Sequence, residues 1–322
     1  MKSDVARPAR QLTAPAALPI PSPSPAATAG LSRTQHRGRS ASRQAMGRLL
    51  RDPAALFGCV LFLVIVLTAI LAPVIAPYDP KAIAMKMRFQ GPSLSHPLGT
   101  DELGRDLLSR LMYGARVSMS VGLVSVGIAA TIGTFLGLVG AYFGGRLDTT
   151  IMRLMDGLLA FPAIVLALAI ITALGPSLLN AMIAIGIVSI PSFARIVRGS
   201  VLAVKQREFV EAARACGAAH GYLMFRTVLP NCLTPLMVQI TVGFADAILT
   251  EAALSFLGLG VPPPTPSWGA MLETGRRYLT QSGWYSATAG AAVFLAVLSL
   301  NLVGDGLRDA FDPQLQHRRG QD

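Results

Sequence analysis

The chain has 322 residues, of which 52% are hydrophobic and 14% are charged. Soluble domains carry about 25% charged residues, so this is the balance of a membrane protein rather than of a soluble enzyme. The formal net charge of +11 invites a nucleic-acid reading, but the Lys and Arg residues sit in a tail and in loops between apolar runs, the pattern of cytoplasmic loops in membrane proteins, and no nucleic-acid partner follows.

Residues 1–45 are rich in Ala, Pro, Ser and Arg, and the run ALPIPSPSPAATAG predicts a disordered cytoplasmic tail. No apolar stretch with a cleavage site follows its basic residues directly, so it does not read as a signal peptide, and Met46 is a candidate start. Ala54–Ala76 is uncharged and apolar, long enough for a first span, with Arg48 and Arg51 on its inner side. Residues 46–113 combine this span with a polar outer stretch, Tyr78–Tyr113, in which Gly99 and Gly104 suit tight turns. Asp101, Glu102, Arg105 and Asp106 offer local ion pairs there. With the single His96 they make a weak ligand set, so no metal site is expected. Lys81, Lys86, Arg88, Arg105 and Arg110 place positive charge on this outer loop, against the rule that every other loop obeys.

Residues 114–313 hold the remaining spans. Val117–Gly144 is the second, rich in small residues, with Gly133 and Gly137 in a GxxxG spacing. Gly157–Leu174 is the third, with Pro162 near its inner end. Leu178–Phe193 is a short fourth span with Pro191 near its exit. Pro235–Leu249 is the core of the fifth, and the triple proline at 262–264 breaks the apolar stretch that follows it. Tyr285–Val303 is the sixth. Gly304–Pro313 and the tail 314–322 return to the cytoplasm, giving six spans with both ends inside. Cys59, Cys216 and Cys232 have neither metal nor disulfide spacing and read as structural.

Between spans four and five, over residues 200–231, lies the least ordinary stretch. Arg195, Arg198, Lys205, Arg207, Arg214 and Arg226 against Glu208 and Glu211 place it in the cytoplasm. Val201–Ala215 has good helix formers, and Phe209, Ala212, Ala213 and Cys216 share one face, small apart from Phe209, that a second surface could approach closely. Gly217 predicts a helix stop. A second short helix is expected from about Gly221 to Val228, ended by Leu229-Pro230. Two short helices at an angle would form a knob outside the bilayer.

Glu-Ala-Ala at 211–213, Gly217 six residues after the Glu, and Leu229-Pro230 twelve after the Gly resemble the EAA loop of ABC importer permeases. The runs Leu49–Pro80, His96–Met119, Ser255–Val261 and Pro266–Leu272 are similar to the C-type permease subunit of the dipeptide/oligopeptide/nickel subfamily. Ala219, where the family often has a capping Ser or Asp, and Thr227, where it often has His, depart from the pattern. The resemblance implies an all-α polytopic membrane protein of six transmembrane helices with the type I ABC importer permease fold, in a bacterial inner membrane. It assigns Glu211, Ala212, Ala213, Gly217, Leu229 and Pro230 to docking in a groove of a cytoplasmic ATPase. The partners it implies are a homologous second permease, two ATP-binding subunits, an extracytoplasmic solute-binding protein and membrane lipid. Transport would proceed by alternating access, with di- and oligopeptides as cargo, or nickel or another small solute on the same architecture.

The chain has no GxxxxGK[ST] run, no Ser-His-Asp or Cys-His set, and four scattered His, so neither catalysis nor a cofactor is expected. Buried charge in hydrocarbon is costly, which makes polar groups inside spans candidates for a water-filled cavity. Asn180, Gln239, Asp246 and Asn301 are those residues, with Glu251 at the outer border. Asp246 could attract a substrate's amino terminus, or serve only as a packing residue. One such carboxylate is thin for the proton relay of a stand-alone secondary transporter.

Overall fold

Asp52 opens the first helix by accepting the Ala54 amide at 3.0 Å, and Pro53 occupies the first turn, where its missing N–H costs nothing. In the computed structural model, residue 47 and residues 52–311 are described; the tails expected at 1–45 and 314–322 lie outside them. Helix α1 (Pro53–Ile75) passes through Pro73 without breaking. The chain then runs through a loop containing one 3-10 turn (Met85–Met87) to α2 (Leu107–Phe143).

That loop folds around carboxylates. Asp101 accepts the amides of Leu103 and Arg105 and pairs with the Arg105 guanidinium at 2.6 Å, with Arg110 3.2 Å away. Asp106 caps α2 through the Ser109 amide and hydroxyl, and its other oxygen meets His96 Nδ1 at 2.9 Å. Arg105 also reaches Glu102, whose carboxyl is pushed up by burial and then by the Asp101 charge. The expected local ion pairs are present. They also resolve the charge conflict in part, because Arg105 and Arg110 are buried and matched rather than free at the surface.

The second, third and fourth spans differ most from their expected limits. The second begins ten residues earlier, since nothing between Leu107 and Val117 opposes helix. The third is not one rod. An amphipathic helix α3 (Gly145–Leu159) turns by 88° at residues 160–162 into α4 (Ala163–Leu174), because Pro162 cannot continue the hydrogen-bond ladder of α3. At 12 residues α4 is about 18 Å long, well short of the ~30 Å hydrocarbon core. The fourth is longer than expected: α5 (Leu178–Lys205) carries Pro191 in its interior and continues for fourteen residues beyond it. The fifth span ends at Phe256. A turn at 257–267 leads to the short α9 (Trp268–Arg277) and then to α10 (Gly283–Phe311). Among the described residues, five helical segments are long and apolar enough to cross a membrane, or six if the bent pair counts as one.

α2 is the hub. Its long contact with α5 runs along small residues: Gly133 faces Phe193 and Ile190, and Gly137 lies against the Ala194 carbonyl and the Arg198 amide. A Cβ on Gly137 would sit 2.4 Å from that carbonyl, so backbone, not a movable side chain, fills the space. On its other side α2 meets α1, the fifth span and Trp268, whose indole N–H donates to the Leu111 carbonyl at 3.0 Å. Gly137→Ala is expected to destabilise the folded chain by about 1–3 kcal/mol through overpacking, whereas Gly127→Ala, which meets nothing within 4 Å, should not. Thermal unfolding of both variants in detergent checks this; equal melting points would refute the close approach.

Candidate functional site: the loop between the fourth and fifth long helices

α5 ends at Lys205 because the chain turns at Gln206 and becomes extended at Arg207. The expected continuous helix over 201–215 is therefore split. Lys205 is spent on capping: its ammonium donates to the Tyr142 carbonyl at 2.5 Å, at the end of α2 where carbonyls lack intrahelical partners. Helix α6 (Glu208–Ala215) then begins with Glu208 and Glu211 in its first turn and Arg214 in its last, each favourable to the helix dipole.

Val210 is fully buried and Ala213 half-buried against the main core, and these two orient the helix. Phe209, Glu211, Ala212 and Cys216 point outward, so the mostly small face expected from the sequence is free except at Ala213. The helix stops as Gly217 adopts φ +81°. Its amide donates to the Arg214 carbonyl, and the Ala218 amide donates to Ala213, the paired bonds of a Schellman stop. No heavy atom lies within 4 Å of a Cβ built on Gly217, so its role is conformational rather than steric.

The second half departs from expectation. Leu229-Pro230 does not end a separate helix. After α7 (His220–Tyr222) the chain widens into a π turn (Leu223–Val228), tightens into a 3-10 turn (Leu229–Cys232) and enters α8 (Leu233–Phe256) with every junction still in the right-handed helical region. Pro230 falls in the first turn of the 3-10 segment, where its missing amide N–H is least needed. The knob is thus the foot of the fifth span, not a free pair of helices. Leu223, Met224, Val228 and Cys232 bury that foot in the core shared with α2 and α5. Ala219 starts it without a side-chain cap, and His220 instead meets the Tyr142 hydroxyl at 3.0 Å.

Next to the loop, α3 is tied to α5 by two ion pairs. Arg198 holds Asp148 with two hydrogen bonds of 2.7 Å, and Arg195 meets Asp156 at 2.6 Å. Neither pair was anticipated. The signal was present in two acids spaced along an amphipathic run and two arginines three residues apart, but only the elbow at Pro162 brings them together.

The intramembrane polar residues scatter. Gln239 and Asp246, seven residues apart, share one face of α8, with Asp246 exposed and Gln239 half-buried. Asn301 is exposed on α10, in a shallow groove of about 350 Å³ with Leu249 and Phe294. Asn180 is not in this group: its amide donates to the Leu174 and Gly175 carbonyls and closes the turn between α4 and α5. Glu251 is buried, 1% exposed, accepting from Ser255 Oγ at 2.8 Å and Ser118 Oγ at 3.3 Å. It ties α8 to α2.

Residues 129–317 match the family described as binding-protein-dependent transport system inner membrane component, and residues 40–92 match the N-terminal TM domain of oligopeptide transport permease C. The chain belongs to this transport family. Among its relatives is the di/tripeptide transport system permease protein of Pseudomonas aeruginosa, 48% identical over 83% of this chain and 90% of that protein. The putative peptide transport system permease protein of Brucella abortus is 47% identical over 84% and 90%. The glutathione transport system permease protein of Pectobacterium atrosepticum is 41% identical over 86% and 93%. These relatives are transporter permease subunits, and the family is an inner-membrane component. The fold is shared with the inward-facing MetNI methionine ABC transporter at TM-score 0.53 and 20% identity, over 63% of this chain and 97% of that one.

Two variants test the site as built. Gly217→Ala should cost about 1–2 kcal/mol in the left-handed position, while Gly217→Asn should cost less; hydrogen exchange across 208–218 should rise in the first and barely in the second. Glu251→Ala strands two serine hydroxyls in a dry environment and should cost about 1–3 kcal/mol, with Glu251→Gln keeping most of the stability. Equal melting of the alanine variant and the native chain would remove Glu251 from the packing of α2 on α8.

Proposed function

We propose that this chain forms half of the translocation pathway of an ATP-driven peptide importer, and that residues 206–232 transmit the ATPase cycle to the spans. The observation that carries this is mechanical. Only the Gln206–Arg207 turn separates α6 from α5; on the other side, past the Gly217 stop and residues 218–219, an unbroken helical path leads from α7 into α8, and Val210 and Ala213 seat α6 on the core that buries the foot of that path. A push on the outward face of α6 therefore moves α5 and α8 rather than being absorbed by slack.

In this reading Glu211 and Ala212 present the small docking face, Ala213 seats it on the core, Gly217 sets the angle, and Leu229 and Pro230 join the knob to its span. The loop and both termini lie in the cytoplasm. Two ATPase subunits close beneath, the spans rock from inward-open to outward-open, and a binding protein releases its cargo into a cavity shared with a homologous second permease. ATP hydrolysis belongs to the partner subunits. Peptide cargo is supported by the names of the relatives, a di/tripeptide, a putative peptide and a glutathione transport system permease protein. Gln239 and Asp246 are the residues of α8 proposed to line the cavity, with Asn301 on α10. The stretches 46–113 and 114–313 serve as an added first span with its loop and as the shared transport core.

Glu211→Lys reverses a charge on an exposed position and should leave insertion intact. In proteoliposomes with the partner subunits it should abolish ATP-dependent peptide uptake while ATPase activity persists. Normal uptake by the variant would contradict the docking role.

A further inference from the structure

At the end of the bundle opposite this loop, a groove of about 700 Å³ opens between the C-terminal end of α1, the first turns of α2 and the turn at 265–266. Pro73, Pro77 and Val117 line its apolar side; Lys81 and Arg116 bring cations to it, with Tyr78 and Tyr113 beside them. Tyr78 is fixed in place, donating to the Ser95 carbonyl at 3.0 Å and stacking on His96 at 4.7 Å. Arg116 is exposed and lies 6.0 Å from the Tyr113 ring centroid. Among the described residues, neither Arg116 nor Lys81 has an acid within ion-pair distance.

The depth of the groove is fixed twice. Arg116 is the last charged residue before the uncharged run 117–143 of α2, and Pro73 and Pro77 close the apolar run of α1. Both mark the boundary between hydrocarbon and headgroups, where Tyr residues gather. α1 is also the least covered of the long helices, and Ile70, Leu71 and Val74 on its last turns face outward beside the groove. Unmatched cations at headgroup level, above an open apolar helix face, are what a phospholipid needs: charge-assisted donors for its phosphate and a surface for its chains.

We propose that this groove holds the headgroup of one phospholipid from the adjacent leaflet, its phosphate on Arg116 and Lys81. Asp79 lines the same groove, and its carboxylate accepts the Lys81 backbone amide at 2.8 Å. A carboxylate beside the cations favours a zwitterionic headgroup, phosphoethanolamine, over a purely anionic one. The bound lipid would wedge the end of α1 against α2 on the side away from the loop.

Native mass spectrometry of the full chain released from detergent tests this, with phosphatidylethanolamine, phosphatidylglycerol, diacylglycerol or inorganic phosphate added in turn. One retained phosphatidylethanolamine is expected, and Lys81→Ala/Arg116→Ala should bind it about tenfold more weakly, while Arg116→Lys should hold it. Preference of the native chain for phosphatidylethanolamine over diacylglycerol needs no variant and so is independent of any folding defect. Equal retention of diacylglycerol, or undiminished retention by the double variant, would overturn the site. Displacement by millimolar inorganic phosphate alone would make it a free-anion site and overturn the lipid assignment. Tighter binding of phosphatidylglycerol would overturn the role of Asp79. Loss of the lipid when the second permease subunit is co-purified would give the groove to that subunit instead.

Discussion

The closeness of α2 to α5 sets the terms for the rest of this chain. In hydrocarbon there is little hydrophobic force between helices, so association depends on contact area and on how near the backbones come. Gly133 and Gly137 remove the side chains that would hold α5 away, and the backbone of Ile190–Arg198 fills the space. Gly122 against Phe244 and Gly114 against Trp268 do the same towards α8 and α9. One long helix thereby becomes the common wall for both halves of the bundle, and the loop between α5 and α8 hangs from elements already locked to it.

That arrangement explains why the helices run on past Pro191, expected near the exit of its span, and past Pro230, expected to end a short helix. Pro191 sits in α5 where the helix is pressed against α2, so packing over both flanking turns outweighs one lost hydrogen bond. Pro230 follows a π turn, and the change from wide to tight winding carries the chain past it into α8. At Pro162 the adjoining residues 159–165 are exposed, and the chain bends by 88° instead. At these three sites the same residue type gives continuity twice and a break once, and the neighbouring contacts decide which.

The apolar runs, the glycine stop at Gly217 and the pairing of Arg105 with Asp101 and Glu102 were legible in the sequence because each rests on local chemistry: length, left-handed φ, or charges three or four residues apart. The continuity through Pro191 and Pro230 was not, since it depends on packing partners far along the chain. Nor were Asp148–Arg198 and the Glu251–Ser118 contact, which join residues 50 and 133 positions apart. Of the polar residues singled out within spans, Asn180 is committed to a turn, and only Gln239, Asp246 and Asn301 remain open to a cavity.

The proposed coupling requires the loop and α8 to move as one body. Spin labels on the native Cys216 and on Leu249→Cys, with Cys59 and Cys232 replaced by Ala, measure that distance in the assembled transporter. A second pair, Cys216 with Val60→Cys on α1, measures motion of the loop against the rest of the bundle. A rigid lever predicts an unchanged Cys216–249 distance with and without ATP while the Cys216–60 distance shifts. A Cys216–249 distance that changes as much as the other would mean that the loop flexes on its own, and the coupling described here would be wrong.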